Sequence, residues 1–169
     1  GWEYHASSKA GGALSHLENF TDETLWREIS LPHDWMTELP IDSEADATAG
    51  CKRRDVAWYK KSFSLSLEEI ESAELVFDGV LGNSTVFVNG VLAGRNFSGY
   101  NRFSMEIGDY LLPCAKNEIA VFVDARRHEG WWYEGGGIYR NVWLLKTDKV
   151  AVDTYGVYVA PKKSDGDRW

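Results

Sequence analysis

An all-β protein built from two antiparallel sheets packed face to face is the fold class this sequence predicts, on three observations. Helix-period patterning is almost absent along the 169 residues. Short segments of alternating, β-branched or aromatic composition recur instead, separated by Gly, Asn, Asp or Pro. One of them carries Asn89-Gly90 between two apolar runs. That dipeptide readily takes the positive φ angles of a two-residue type I′ turn and so marks a hairpin.

The elements follow in chain order. Trp2 to His5 and Leu25 to Ile29 are the weaker strand signals. Pro32 to Asp55, rich in Asp, Glu, Ala and Thr, exceeds the usual connection length and reads as a functional or locally mobile loop. Trp58 to Leu67 sets Tyr59, Lys61, Phe63, Leu65 and Leu67 against Trp58, Lys60, Ser62, Ser64 and Ser66, so that from its third residue on one face is apolar and the other polar. Leu75-Val76-Phe77 is a short strand stopped by Asp78-Gly79, and Thr85 to Val88 with Val91 to Gly94 form the hairpin arms. Tyr100 to Ile107, Glu118 to Asp124, Ile138 to Thr147 and Val150 to Ala160 read as further strands, and Asp109 to Pro113 as one helical turn ended by proline. The total is about nine or ten strands with no long helix to cover a parallel sheet. No internal repeat and no domain boundary interrupts the chain.

Composition narrows the class of partner. The length suits a single core, and 44% hydrophobic with 26% charged residues is ordinary for a globular protein; eight Trp are not. A formal charge of −8, from 26 acidic against 18 basic residues, would repel a phosphate backbone, and the longest basic run is Lys52-Arg53-Arg54. Nucleic acid is therefore not an expected partner. Neither is a membrane, since no apolar run approaches the roughly 18 residues a span needs. The first residues lack the layout of a signal peptide, so the chain reads as soluble and as starting after any such segment. Its compartment is left open, the bacterial periplasm and secretion both being compatible. Cys51 and Cys114 stand far apart without CxxC spacing and specify neither a zinc site nor a disulfide framework. Asn19-Phe20-Thr21, Asn83-Ser84-Thr85 and Asn96-Phe97-Ser98 match the N-glycosylation tripeptide, a pattern that also arises by chance.

The most informative stretch is Gly130 to Leu145, GWWYEGGGIYRNVWLL. Adjacent aromatics that a strand cannot all point inward, next to backbone without Cβ atoms, suggest a loop that presents flat apolar faces. Sugars are held in this way. Pyranose C–H faces lie on aromatic rings, and the hydroxyls need donors and acceptors such as Glu129, Glu134, Tyr139 and Arg140. The competing reading is that Trp131, Trp132 and Tyr133 cap a core. Asp34, Asp124, Glu129 and Glu134 could in principle act as general acids, but nothing in the sequence pairs them at a defined distance, so no catalytic residue is assigned. Gly135-Gly136-Gly137 lacks the Lys-Ser/Thr of a phosphate loop. No HxxxH or HxH spacing supports a metal site; His33 and His128 read as structural hydrogen-bonding groups, and no cofactor is expected. Arg140 is charged within an apolar segment and would need a carboxylate or carbonyl partner if buried, with Asp34 as the candidate.

Taken in order, Leu31-Pro32-His33-Asp34-Trp35, Ala57 to Phe63, Phe77-Asp78-Gly79-Val80, Val86 to Gly90, Gly99-Tyr100 with Phe103, Asn117 to Asp124 and Trp132 to Leu144 resemble the N-terminal sugar-binding domain of glycoside hydrolase family 2, the family of β-galactosidases, β-glucuronidases and β-mannosidases. The resemblance covers nearly all of the chain. It implies a jelly-roll, galactose-binding-like β-sandwich over residues 1–161, with 162–169 as a linker to a following domain absent from this chain. The sister domains so implied are an immunoglobulin-like sandwich and a (β/α)8 barrel. In such enzymes two barrel glutamates about 5–5.5 Å apart carry out retaining hydrolysis of O-glycosidic bonds. This chain, without a barrel, would be inactive alone. The resemblance further places Trp131, Trp132, Tyr133 and Glu134 on the rim of a carbohydrate pocket, with Asp34 and Arg140 bracing that loop or the domain interface. β-Galactosidase is the first expectation for the parent enzyme, and a homo-oligomeric parent is compatible with it. A stand-alone lectin-like carbohydrate-binding module and a structural interface domain are the alternatives.

Overall fold

The computed structural model describes residues 1–7, 25–70, 72–127, 130–148 and 150–162. The tripeptide at Asn19, the residues His128 and Glu129, and 163–169 of the expected linker lie outside them. Nine strands form among the described residues: β1 (Trp2–Ser7), β2 (Arg27–Ile29), β3 (Val56–Ser64), β4 (Ala73–Phe77), β5 (Asn83–Val88), β6 (Val91–Asn96), β7 (Phe103–Glu106), β8 (Lys116–Asp124) and β9 (Val142–Lys146). They make a six-stranded sheet in the order β2-β1-β3-β8-β5-β6 and a three-stranded sheet in the order β7-β4-β9. Every pairing is antiparallel.

The core lies between the sheets because alternate residues of each strand point the same way. Tyr4, Ala57, Tyr59, Val86, Val88, Ile119, Val121 and Val123 of the large sheet meet Ala73, Leu75 and Phe77 of the small one, with Phe103 stacked on Phe77 at 4.9 Å. The outer face of the large sheet is not the polar surface that the Trp58–Leu67 alternation predicts. Val56, Trp58, Phe87, Ala120 and Phe122 form a second apolar cluster there, with Trp26 against it. Lys60 is buried on that face because its Nζ sits 4.3 Å from the centre of the Trp26 ring and 3.3 Å from Glu3, two contacts that replace lost hydration.

The Asn89-Gly90 turn forms as expected, with φ of 50° and 78° and Val88 opposite Val91. Asn89 does more than turn the chain. Its side-chain amide donates to the Tyr110 carbonyl and to Asn117 Oδ1, both at 2.8 Å, and its own Oδ1 accepts from the Glu118 amide at 2.9 Å. Asn117 is fully buried and ties back to both backbone groups of Leu112 at 2.7 and 2.9 Å, which anchors the loop entering β8.

Most expected strand ends shift by a few residues, the strand expected over Trp58–Leu67 running instead over Val56–Ser64, and three segments differ more. The strand expected over Tyr100–Ile107 shortens to β7, and the one over Ile138–Thr147 starts only at Val142. Val150–Ala160 joins no sheet: Val150, Val152, Tyr155, Val157, Tyr158 and Val159 are exposed. Thr154 meets Glu74 of β4 through its hydroxyl at 3.4 Å, and Tyr155 lies under Arg102 at 5.2 Å, so this segment crosses side chains of the small sheet instead of adding to its edge. Alternation marks faces, but a strand also needs a neighbour with free backbone groups. The expected loop between Pro32 and Asp55 is ordered by two 3-10 turns, Trp35–Glu38 and Ala47–Ala49, capped by Asp34 and Asp46.

Asn117→Ala leaves the Leu112 amide and the Asn89 amide group without their acceptor. It should lower unfolding stability by about 2–4 kcal/mol, read as a shift of the urea midpoint at unchanged slope.

Candidate functional site: an aromatic ledge held from behind

The site begins with backbone. The segment after β2 runs beside the glycine run that precedes β9, with the His33 amide donating to the Ile138 carbonyl at 2.8 Å and the Trp35 amide to the Gly136 carbonyl at 3.0 Å. On the opposite side Gly137 and Leu81 exchange amide-to-carbonyl bonds of 3.0 and 2.8 Å. The glycine run is thus the middle rung of three extended segments. Its composition follows from closeness: a Cβ on Gly136 would stand 2.6 Å from the Trp35 ring, one on Gly135 would enter the Asp34 carboxylate, and one on Gly137 would strike the Tyr59 hydroxyl. Gly135 and Gly137 also hold φ of 77° and 120°, a region that side chains disfavour. The glycines serve packing, where the sequence suggested only a bend.

Asp34 is the residue that the packing closes on. Its Oδ1 accepts from the Met36 amide at 3.0 Å and from the Gly136 amide at 2.9 Å, and its Oδ2 accepts from the Tyr133 hydroxyl at 2.9 Å. One carboxylate therefore caps a 3-10 turn, fixes the glycine run and holds an aromatic ring. Beside it, His33 Nδ1 lies 2.8 Å from the Tyr59 hydroxyl and His33 Nε2 lies 3.2 Å from Glu38. Arg140 is not the partner of Asp34. It is exposed, reaches the Asp78 carbonyl at 3.4 Å, and lies over the Tyr139 ring at 5.0 Å. It needs no buried counter-ion because its segment precedes β9 and its head stays in water.

Glu134 sits on the inner side of the same loop. Expected on the rim, it is buried, with its side chain 7% exposed. Its Oε1 accepts from the Tyr100 hydroxyl at 3.1 Å and the Gly130 amide at 3.0 Å, and its Oε2 pairs with Arg54 Nη1 at 3.2 Å. The Tyr100 oxygen in turn accepts from Trp132 Nε1 at 2.9 Å. Trp132, Tyr100, Glu134 and Arg54 so form one polar relay. Arg54 and Tyr100 are supports of this loop to which sequence reasoning gave no role, and the lone signal for Arg54 was a basic residue at the end of a short charged run.

The faces left to solvent are Trp131, 81% exposed, Trp132, 51%, and Tyr133, 42%. Core capping is excluded for these three. Polar atoms of Trp132 and Tyr133 are tethered inward while their rings remain accessible, an arrangement suited to stacking on a flat apolar ligand face. Asp34, Asp124 and Glu134 are each engaged by local donors, with Arg126 forking onto Asp124 at 2.9 and 2.6 Å. Among the described residues no group of three His, Cys, Asp or Glu is placed to hold a metal ion.

Two outcomes follow from this geometry. Gly136→Ala should lower stability by about 1–3 kcal/mol, measured by thermal unfolding, because the Trp35 ring must move. Burial first, then the bond to Asp34 and that carboxylate's charge, push the Tyr133 phenol well above its usual value. The tether is complete below the usual tyrosine value of about 10 and is lost only as pH rises through the raised one. In an ultraviolet phenolate titration Tyr133 should stay protonated after the exposed tyrosines have ionised, and Asp34→Asn should bring its ionisation part of the way back.

Comparison with known proteins places this geometry. No protein-family model matches the chain. A β-galactosidase, BoGH2A, of Bacteroides ovatus is 38% identical over 168 residues, covering 97% of this chain and 19% of that protein. A putative β-glucuronidase of Formosa agariphila is 35% identical over 131 residues, covering 75% of this chain and 13% of its own length. The chain thus spans a fifth or less of these relatives. Among solved structures, a glycosyl hydrolase family 2 member from Bacteroides cellulosilyticus superposes with a TM-score of 0.76 at 31% identity, over 87% of this chain and 20% of that one. A β-glycosidase from Bacteroides vulgatus gives 0.72 at 31% identity, over 88% and 19%. By sequence and by fold, the chain matches the N-terminal β-sandwich domain of glycoside hydrolase family 2.

Proposed function

We propose that this chain is the non-catalytic, sugar-contacting domain of a retaining β-glycosidase, with residues 1–161 as the sandwich and 162–169 as a linker to the immunoglobulin-like and barrel domains of the same enzyme. The observation that carries this reading is the exposed row Trp131, Trp132 and Tyr133, in which Tyr100 anchors Trp132 and Asp34 anchors Tyr133 from behind. Two rings held in this way, with Trp131 beside them, would add a stacking surface at the mouth of a catalytic pocket that another domain supplies, with little rearrangement when substrate arrives. The relatives include β-galactosidases and a putative β-glucuronidase, which supports hydrolysis of a glycosidic bond by the parent enzyme. The 38% relative over nearly the whole chain favours a β-galactoside. On this reading the isolated chain turns over no glycoside, and Asp34 and Glu134 are positioning groups.

A second reading has its own support. The exposed apolar side chains of Val150, Val152, Tyr155, Val157, Tyr158 and Val159 suit a surface that another domain or subunit covers. This role is compatible with the first.

Trp132→Ala, introduced into the intact enzyme and assayed on aryl β-galactoside and aryl β-glucuronide, should raise KM about three- to tenfold while the melting temperature moves little. A large loss of thermal stability with unchanged kinetics would overturn the ledge assignment. Saturable sugar binding by the isolated chain, seen in tryptophan fluorescence, would instead assign a free-standing carbohydrate-binding role.

A further inference from the structure

The Arg54–Glu134 pair uses only part of the arginine. Nη1 meets Glu134, whereas Nε and Nη2, the two nitrogens of the other guanidinium edge, are buried and bonded to no atom of the described residues. The Arg54 side chain is 9% exposed. Buried guanidinium donors without acceptors are costly, and native proteins seldom leave them so. Arg54 also lines a cavity of about 200 Å3, together with Arg127, Glu134, Asn83, Gly82 and Gly99.

We propose that this cavity is a carboxylate-binding site, in which the free Nε–Nη2 edge of Arg54 takes both oxygens of a planar carboxylate and the exposed Arg127 supplies a second positive charge at the mouth. The geometry selects the anion. Two parallel N–H donors match the two oxygens of a carboxylate. Among the described lining residues two arginines stand against one glutamate, a balance that suits a monoanion, and Glu134 beside the fork would repel the second charge of a phosphate. The carboxylate can arrive on a sugar acid or on a simple acid such as an aspartate or glutamate side chain; the chemistry at Arg54 is the same. The Trp131, Trp132 and Tyr133 side chains do not line this cavity, and Glu134 links it to the ledge through Tyr100.

The test titrates this chain with sodium glucuronate, sodium acetate and neutral glucose, following the arginine Nε–H resonances by NMR and the heat of binding by calorimetry. Both carboxylates should shift the Arg54 Nε–H signal saturably and glucose should not. Arg54→Lys keeps a cation facing Glu134 but has no fork, so it should weaken binding about tenfold or more. Arg127→Ala, at an exposed position, should weaken it several-fold. If Arg54→Lys fails to fold, the Arg54 Nε–H shift and the Arg127→Ala effect decide. Glucuronate favoured over acetate about tenfold or more assigns a sugar acid as the ligand, and equal affinities assign the carboxylate group alone. No saturable shift with either carboxylate, or binding unaltered in Arg54→Lys, would overturn the proposal.

Discussion

The close approach of two backbones, residues 33–36 against 135–138, is the constraint on which the rest of the site depends. Three consecutive positions without a Cβ let the Asp34 carboxylate, the Trp35 ring and the Tyr59 hydroxyl come into contact with main chain. Once they do, Asp34 reaches the Gly136 amide, and its other oxygen is left to hold Tyr133. A side chain at any of the three would push the two segments apart and break bonds that serve several elements together. The orientation of Trp132 and Tyr133 therefore depends on the contacts that Tyr100 and Asp34 make behind them.

Electrostatics complete what packing begins. Glu134 and Arg54 are both withdrawn from water, and burying an ion pair is seldom favourable through its Coulomb energy alone. Additional donors from Tyr100 and Gly130 make the carboxylate tolerable there. The pair joins the start of β3 to the loop after β8, which are far apart in the chain. On the opposite side of the glycine run, His33, Tyr59 and Glu38 supply a comparable set of contacts. The loop is braced from two directions and offers its third side outward.

On the proposed reading, this arrangement belongs to a domain that shapes a site whose chemistry another domain performs. The carboxylates that sequence inspection singled out and the structure describes are each occupied by amides, hydroxyls or arginine, so they position groups and are not set up as a pair of acids. Matching glycoside hydrolase family 2 over almost the full chain, yet over only a fifth of its relatives, is consistent with a division of labour between domains. The sheet order supports the loop. The large sheet supplies a stiff platform through β3 and β8, paired along nine residues, and the glycine run is hung from its Leu81 end.

Much of the fold was legible because it is written in short-range chemistry. Asn89-Gly90 turns wherever it is placed between apolar arms, and period-two alternation reports a pleated segment regardless of what lies opposite. The exposure of Trp131 to Tyr133 was legible too, since three adjacent large rings cannot share one face. Errors came where the partner was remote. Trp58 and Lys60 are buried on the face that alternation called polar, because Trp26 and Glu3 meet them there. Glu134 looked like a rim acid until Arg54, 80 positions earlier, neutralised it inside the loop. Asp34 found Tyr133 across 99 positions, not Arg140. Val150–Ala160 had the composition of a strand and no edge to join. The sequence by itself determined the all-β class, the hairpin and the outward aromatics, because each depends on residues a few bonds apart. Only the tertiary structure decided which charges pair, why three glycines are needed and which alternating segments become strands, because those depend on which distant backbones the sheet topology brings into contact.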